Sequence, residues 1–406
     1  MSDNGIVIVG AGQSGYQLAV SLRSAGYSSR VRLVGDETSM PYQRPPLSKA
    51  FLAGTCDMAQ ITFQDADFYR KQNIEFVAGK TIASIDRASH TALTDDGVAL
   101  RYEQLVLAVG ARTRTLPFNI GKASGLHYLR TLGDAQRLRQ ALEHARNIVV
   151  VGAGFLGLEF AAVAAAHGKH VSVIENAEEP MSHAVSSIVS RAFREHHESN
   201  GVRFLLGDGV SDIRIHDERI TGVQTARGAE LHADMVVACI GVVPNVELAA
   251  KAGLRVANGI VVDSALRTED PAISALGDCA SFPTRYAPGT CRLESIQNAT
   301  DQARHLAQRL ATGNESRFDA VPWFWSDQGG MKLQIAGLNR DLDKTVVRGD
   351  IESRHFSVFG FRDNRLVAVE SVGAPGDHMI ARRLLSRGVD VTPAMAGDPG
   401  VSLRDL

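Results

Sequence analysis

Cysteine is scarce in this 406-residue chain. The four thiols, Cys56, Cys239, Cys279 and Cys291, lie far apart, with no CxxC or CxxxxC pair. Neither a metal ribbon nor a built-in dithiol redox centre is expected, and no metal site is assigned. Redox chemistry here would need an added cofactor. Long hydrophobic runs are also missing: none approaches the ~18 residues that span a bilayer, so no membrane partner is expected. The opening Met1-Ser2-Asp3-Asn4 carries an acid and no basic flank, and the apolar stretch behind it stops at Gly10. No signal peptide is expected, and the chain reads as cytoplasmic. An excess of either charge is absent, since 43 Lys+Arg against 45 Asp+Glu leave a net -2. That excludes the basic footprint of a nucleic-acid binder. With 44% hydrophobic and 22% charged residues, collagen-like, disordered and coiled-coil classes are excluded as well. The length suggests two or three domains.

Glycine, by contrast, is abundant at 38 residues, and it gathers at the ends of short apolar runs. Ile6-Val9 is wholly apolar and ends in Gly10-Ala11-Gly12-Gln13-Ser14-Gly15. Such a run fits a strand buried on both faces of a parallel sheet. From Tyr16 to Ala25 the period becomes helical, with Leu18, Ala19, Leu22 and Ala25 on one face, and Val31-Val34 gives the next strand. This is a βαβ unit. The pattern returns at Ile148-Val151, followed by Gly152-Ala153-Gly154-Phe155-Leu156-Gly157, a helix over about Leu158-Ala166, and a strand at Val171-Ile174.

Chance supplies about a third of one GxGxxG match at this glycine content, so the context of each copy decides its meaning. Both copies follow a buried strand and open a helix. The first glycine (Gly10, Gly152) makes the tight turn, the second (Gly12, Gly154) lets backbone approach a pyrophosphate, and the third (Gly15, Gly157) lets helix pack on strand. The helix start then offers N–H groups to phosphate. Two Rossmann-like dinucleotide-binding domains follow. An acid about 20 residues on should take a ribose hydroxyl. Gly35-Asp36-Glu37 stands there after the first turn and Glu175 after the second, with Glu178 and Glu179 nearby and no arginine. A carboxylate there favours a 2′-hydroxyl over a 2′-phosphate by roughly 1.5–3 kcal/mol, so the second domain should prefer NADH to NADPH.

Further strands are expected at Leu105-Val109, Met235-Ile240, Ile260-Val262 and Ile273-Ala275, the last leading into Gly277-Asp278. Beyond Pro322 the texture changes to short alternating runs: Lys332-Ala336, Thr345-Arg348, Phe356-Phe361 and Arg365-Val369. They read as an antiparallel sheet closed by a helix near Met379-Ser386.

Four strings carry a resemblance: Pro45-Pro46-Leu47-Ser48-Lys49, Tyr128-Leu129-Arg130-Thr131, Gly277-Asp278-Cys279 and Trp323-Phe324-Trp325-Ser326-Asp327-Gln328. From Gly5 to the C-terminus the chain resembles the FAD-dependent NADH:ferredoxin reductases of the putidaredoxin reductase and rubredoxin reductase type. The resemblance implies an α/β, glutathione-reductase-like fold with two Rossmann-like domains and a C-terminal α+β domain carrying an antiparallel sheet. It divides the chain into a first FAD-binding segment at 1–112, an NADH-binding domain at 113–243, a second FAD-binding segment at 244–321 and a C-terminal domain at 322–406.

Carried onto this sequence, the resemblance implies an FAD shell of Ser14 at the pyrophosphate turn, Asp36 at the adenosine ribose, and Arg44 and Lys49 near phosphates and flavin. Ile82 would lie against adenine, with Arg130, Asp278 on the ribityl chain, Ile296 at a helix start aimed at the isoalloxazine, and Trp325 in the C-terminal cover. A helix beginning near Ser295, with Asp301, Ala303, Leu306 and Leu310 following, suits that last role, because its positive end would face a ring that gains negative charge on reduction. Lys49 and Glu159 would pair beside the flavin and order the nicotinamide, and Phe155 would shield the flavin or pack in the core. The chain departs from the family at Ala108-Val109-Gly110, where a threonine is common, and at Tyr42-Gln43.

The implied function is electron transfer from NADH through FAD to a 2Fe–2S ferredoxin serving a monooxygenase or dioxygenase, with rubredoxin ranked behind it. The protein would be a monomer or weak homodimer. Because ferredoxins are acidic, Arg304, Arg309, Arg317 and Lys332 are candidates for a docking patch. Two other classes stay open. A disulfide or peroxide reductase would need a cysteine near the flavin, where Cys56 stands alone. An apoptosis-inducing-factor-like protein would use NADH to switch association.

Overall fold

A computed structural model describes residues 4–406, which divide into two units. The first unit comprises the chain up to Gln43, Met58–Arg112 and Val243–Pro322. Its centre is a five-stranded parallel sheet in the order Ile273–Ala275, Gln104–Leu107, Ile6–Val9, Val31–Val34, Ile74–Val77. Ile6–Val9 and Val31–Val34 are buried at every residue, which is why neither shows polar alternation. Helix Gln13–Ser24 buries Leu18, Ala19 and Leu22, the face that the spacing predicts, and packs on helix Ile296–Thr312. Its start lies three residues before the Tyr16 expected from periodicity, because the glycine turn itself contributes the first helical turn. A three-stranded antiparallel sheet, Ile82–Asp86, Thr91–Thr94 and Ala99–Arg101, completes the main elements. Its strands were not anticipated.

The second unit comprises Arg44–Asp57, Thr113–Val242 and Trp323–Leu406. It repeats the parallel design in the order Arg203–Leu206, His170–Glu175, Asn147–Val151, Met235–Ala238, Leu126–His127. Helix Phe155–Ala166 packs against this sheet. Its mean composition is apolar on every side, and the one charged residue, Glu159, is buried. The C-terminal part is a five-stranded antiparallel sheet ordered Trp323–Gln328, Met331–Gly337, Arg365–Val372, His355–Arg362, Lys344–Asp350. Helix Pro375–Arg387 lies against its middle strands. The expected alternating runs all become strands, each extended by one to three residues at an end.

Three expected strands end early, Ile260-Val262 by one residue at Val261. Leu105-Val109 stops at Leu107, and Met235-Ile240 stops at Ala238. Just beyond both of these ends the chain passes a glycine turn so closely that only glycine fits: Gly10 beside the Ala108 carbonyl, and Gly152 beside that of Cys239. Among the described residues, no helix is long and apolar enough to cross a membrane.

Candidate functional site: two glycine turns and a buried Lys–Glu pair

The two glycine turns are built alike. Gly10 and Gly152 have φ of +108° and +101°, open to glycine and strained for other residues. A Cβ on Gly10 would stand 2.3 Å from the Ala108 carbonyl oxygen, and one on Gly152 2.5 Å from that of Cys239. A Cβ on Gly15 or Gly157 would stand 1.9 or 2.2 Å from the carbonyl oxygen of its own first glycine, so only glycine allows the helix to sit this close. At Gly12 and Gly154 the same atom would meet nothing within 4 Å. Neither helix start is closed by a capping side chain. The middle glycines thus face open space beside unclaimed N–H groups, and both turns fit a pyrophosphate.

In the first unit the structure gathers Ser14, Gly277, Asp278 and the start of helix Ile296–Thr312. Gly277 has φ +76°, and a Cβ there would lie 2.6 Å from Ser14 Oγ, so glycine is needed for this approach. The Gly277 N–H donates to Gln302 Oε1 at 2.7 Å, and Gln13 Nε2 donates to Thr300 Oγ1 at 3.2 Å. Ser295 is the N-cap, its hydroxyl accepting the Asn298 N–H at 3.0 Å, and Ile296 is the first helical residue. Asp36 is exposed just past strand Val31–Val34. The Ile82 side chain is buried in the antiparallel sheet at 4% exposure. Arg309 does not qualify for a docking patch. It is 4% exposed and donates to Ser274 Oγ at 2.5 Å, a core position that its helical spacing alone could not reveal. Arg304, Arg317 and Lys332 are exposed.

In the second unit, Glu175 ends strand His170–Glu175, and its two oxygens accept the N–H groups of Ala153 at 2.7 Å and Ala177 at 2.9 Å. These bonds pin the carboxylate over the glycine turn and leave further lone pairs for a ribose hydroxyl. The Arg130 carbonyl accepts from Arg44 Nη1, and the Arg130 N–H donates at 3.1 Å to Oδ2 of Asp134, which forms a capping box with Thr131 on helix Leu132–His144.

Lys49 and Glu159 do pair, with Nζ 2.7 Å from Oε2 and side chains 25% and 7% exposed. The lysine is delivered by a 3₁₀ turn, Pro45–Ser48, whose two prolines occupy its first positions, where no N–H is needed. Sequence reasoning missed the rest of the cluster. Ser48 Oγ donates to the same Glu159 oxygen at 2.7 Å, and Ser326 Oγ donates to Oε1, also at 2.7 Å. A buried carboxylate with one partner would be costly, whereas three donors offset its lost hydration. Ser48 and Ser326 both lie inside the strings that carried the resemblance, and Ser326, Phe324 and Gln328 share one face by strand alternation. That face runs along helix Phe155–Ala166. Phe155 and Phe324 meet with ring centroids 4.5 Å apart, and one helical turn on, Glu159 meets Ser326. Trp325 lies tilted beside Trp323, 5.8 Å between centroids.

None of the four cysteines is in a disulfide. Burial pushes Cys239 up to about 12, with the Glu159 charge adding to it. Cys279 is likewise pushed to about 12 by burial, and Cys56 is raised by burial and by Asp57. None of these three is poised as a thiolate.

The profile of the pyridine nucleotide-disulphide oxidoreductase family matches residues 4–303, and that of the reductase C-terminal family matches residues 323–406. Rhodocoxin reductase of Rhodococcus erythropolis is 48% identical over 399 residues, covering 98% of this chain and 93% of the relative. A crystal structure of a ferredoxin reductase from Rhodopseudomonas palustris has a TM-score of 0.96 at 44% identity, covering 99% of each chain. A covalent putidaredoxin reductase–putidaredoxin complex matches with a TM-score of 0.96 at 38% identity, over 100% of this chain and 98% of that one. The fold, the paired glycine turns and these likenesses agree: the chain belongs to the pyridine nucleotide-disulphide oxidoreductase family, as an FAD- and NAD(H)-dependent oxidoreductase with a reductase C-terminal domain.

Proposed function

We propose that this protein is an NADH-dependent flavoprotein reductase that passes electrons through FAD to a 2Fe–2S ferredoxin serving a monooxygenase or dioxygenase. The reading rests chiefly on the buried Glu159 carboxylate, one turn beyond the second glycine turn and joined to Lys49. When bound, FAD supplies the step from a two-electron hydride donor to a one-electron carrier. The chain's residues bind, orient and exclude water. FAD would occupy 1–112 and 244–321, NADH 113–243, and residues 322–406 would cover the flavin.

Gly10, Gly12, Gly15 and Ser14 would hold the FAD pyrophosphate, Asp36 its adenosine ribose, and Asp278 the ribityl hydroxyls. Ile82, Arg44, Arg130, Ile296 and Trp325 would complete the shell. For NADH, Gly152, Gly154 and Gly157 would hold the pyrophosphate and Glu175 the ribose. Phe155, tilted against Phe324, would yield to the nicotinamide. Lys49 and Glu159 would order that ring as a fixed ion pair without giving up a proton. The raised thiols weigh against a disulfide or peroxide reductase, which needs a thiolate at the flavin. We place the protein in the cytoplasm, in keeping with four cysteines that form no disulfide.

Anaerobic titration of the purified yellow protein with NADH, followed by a panel of ferredoxins and rubredoxins, tests this. Bleaching by NADH and rapid turnover with a ferredoxin is the expected result. A preparation that takes up no flavin, or one that holds NADH-reduced flavin without passing electrons on, would refute it. The second outcome would favour the apoptosis-inducing-factor-like reading.

A further inference from the structure

The hydrogen bonds at Glu159 continue beyond Ser326. Gln328 Nε2 donates to Ser326 Oγ at 3.1 Å and approaches Met181 Sδ at 3.4 Å, while Gln328 Oε1 lies 2.9 Å from His197 Nε2. Ser326, Gln328 and His197 are 1%, 0% and 1% exposed. Every member of this chain has a direction. A serine hydroxyl has one proton, and here it goes to Glu159 because the amide of Gln328 fills its acceptor side. The amide presents its nitrogen to Ser326 because its oxygen is claimed by an N–H of His197. If the His197 ring carried its proton on Nδ1 instead, Nε2 would accept, the amide would turn over, and Ser326 would donate to Gln328 rather than to Glu159.

We infer that His197, through Gln328 and Ser326, sets the hydrogen-bond polarity that keeps Glu159 a fully hydrogen-bonded, oriented carboxylate for Lys49. His197 and Gln328 are positioning residues, reaching the reaction only through Glu159. The chain is no proton conduit, since an amide would have to tautomerise to pass one. The inference rests on the reading that the Lys49–Glu159 pair orders the nicotinamide.

The first measurement uses wild-type holoenzyme labelled with ¹⁵N-histidine. The ring ¹⁵N shifts should report His197 protonated on Nε2, and an Nδ1–H tautomer would overturn the inference. The second uses single-turnover reduction of the bound flavin by NADH. Gln328→Glu keeps the shape but offers His197 and Ser326 two acceptors, so it should reverse the chain. It and Ser326→Ala should each slow reduction at saturating NADH about tenfold, the scale of one hydrogen bond to a charge, with the NADH dissociation constant within about twofold of wild type. The Gln328→Glu variant should also shift the His197 ring signals to those of an imidazolium. If Glu159→Gln slows reduction while Ser326→Ala and Gln328→Glu do not, the positioning role is refuted and the ion-pair reading stands. If Glu159→Gln has no effect, the ion-pair reading falls, and the role in reduction falls with it. The tautomer measurement then still decides the polarity.

Discussion

The Ser326 hydroxyl stands 2.7 Å from Glu159 Oε1, while Lys49 and Ser48 share the other oxygen at 2.7 Å each. Both oxygens of one buried carboxylate are thus spoken for by side chains from two other stretches of sequence. Its energetics make the first prediction. Lys49→Met leaves the Glu159 charge buried without its counter-ion and should destabilise the fold by about 3–5 kcal/mol. Lys49→Met with Glu159→Met should recover most of that loss, because the pair as a whole gains little over apolar packing. Thermal midpoints of the two variants and wild type check this, and equal midpoints for single and double variants would contradict it.

Coenzyme choice should follow the residue that Ala153 and Ala177 hold. Glu175→Arg removes the carboxylate and supplies a phosphate partner, so the kcat/KM ratio should move towards NADPH by about tenfold to a hundredfold. An unchanged ratio would take Glu175 out of this role.

Glycines of one motif should fail in different ways. Gly157→Ala places a Cβ 2.2 Å from the Gly152 carbonyl oxygen, so it should lower the melting temperature through a forced helix shift. Gly154→Ala meets no protein atom within 4 Å and should fold normally while losing NADH affinity. Calorimetry beside NAD⁺ titration separates the two, and a shared stability loss would count against the assignment.

Acid sensitivity should be traceable to His378. It is 2% exposed, packs 5.3 Å from Trp323, and burial with Arg382 nearby pushes it down to about 4 from an ordinary 6.5. A group depressed in the fold must be charged as the chain unfolds, so its stabilising share is complete above about pH 6.5 and lost as pH falls towards 4. The melting temperature of His378→Phe should therefore fall less than that of wild type across this window. Parallel curves would reject the assignment.

Thiol chemistry should be dispensable. Cys56→Ser ought to leave NADH-driven dye reduction at the wild-type rate, and a loss beyond about twofold would reopen a sulfur mechanism.

Much of this was legible in residue order. Ile6-Val9 and its glycine turn declared a buried parallel strand because burial on both faces removes alternation, and Ser295 declared a helix start through its hydroxyl. The antiparallel strands Ile82–Asp86 and Thr91–Thr94 were missed, since half of their residues face solvent and the runs are too short to stand above noise. Arg309 looked like surface because charge on a helix usually is, and only the Ser274 hydroxyl reveals its burial. Lys49 and Glu159 came from resemblance. Their companions Ser326, Gln328 and His197 emerge only when strand and helix are brought side by side, a tertiary fact without a local signature.

That alignment of strand with helix rests on two matched rises. Four helical residues rise about 6 Å and two strand residues about 6.8 Å, close enough for Phe155 to match Phe324 and Glu159 to match Ser326. Two more strand residues bring the strand to about 13.6 Å, still within the roughly 16.5 Å that the helix rises from Phe155 to Ala166. Gln328, the third residue on this face, nonetheless bonds to a different helix, Ser187–Ser199, through His197. The two elements coincide at a pair of marks, so a residue inserted or deleted between Phe324 and Ser326 would turn one of the two off the helix.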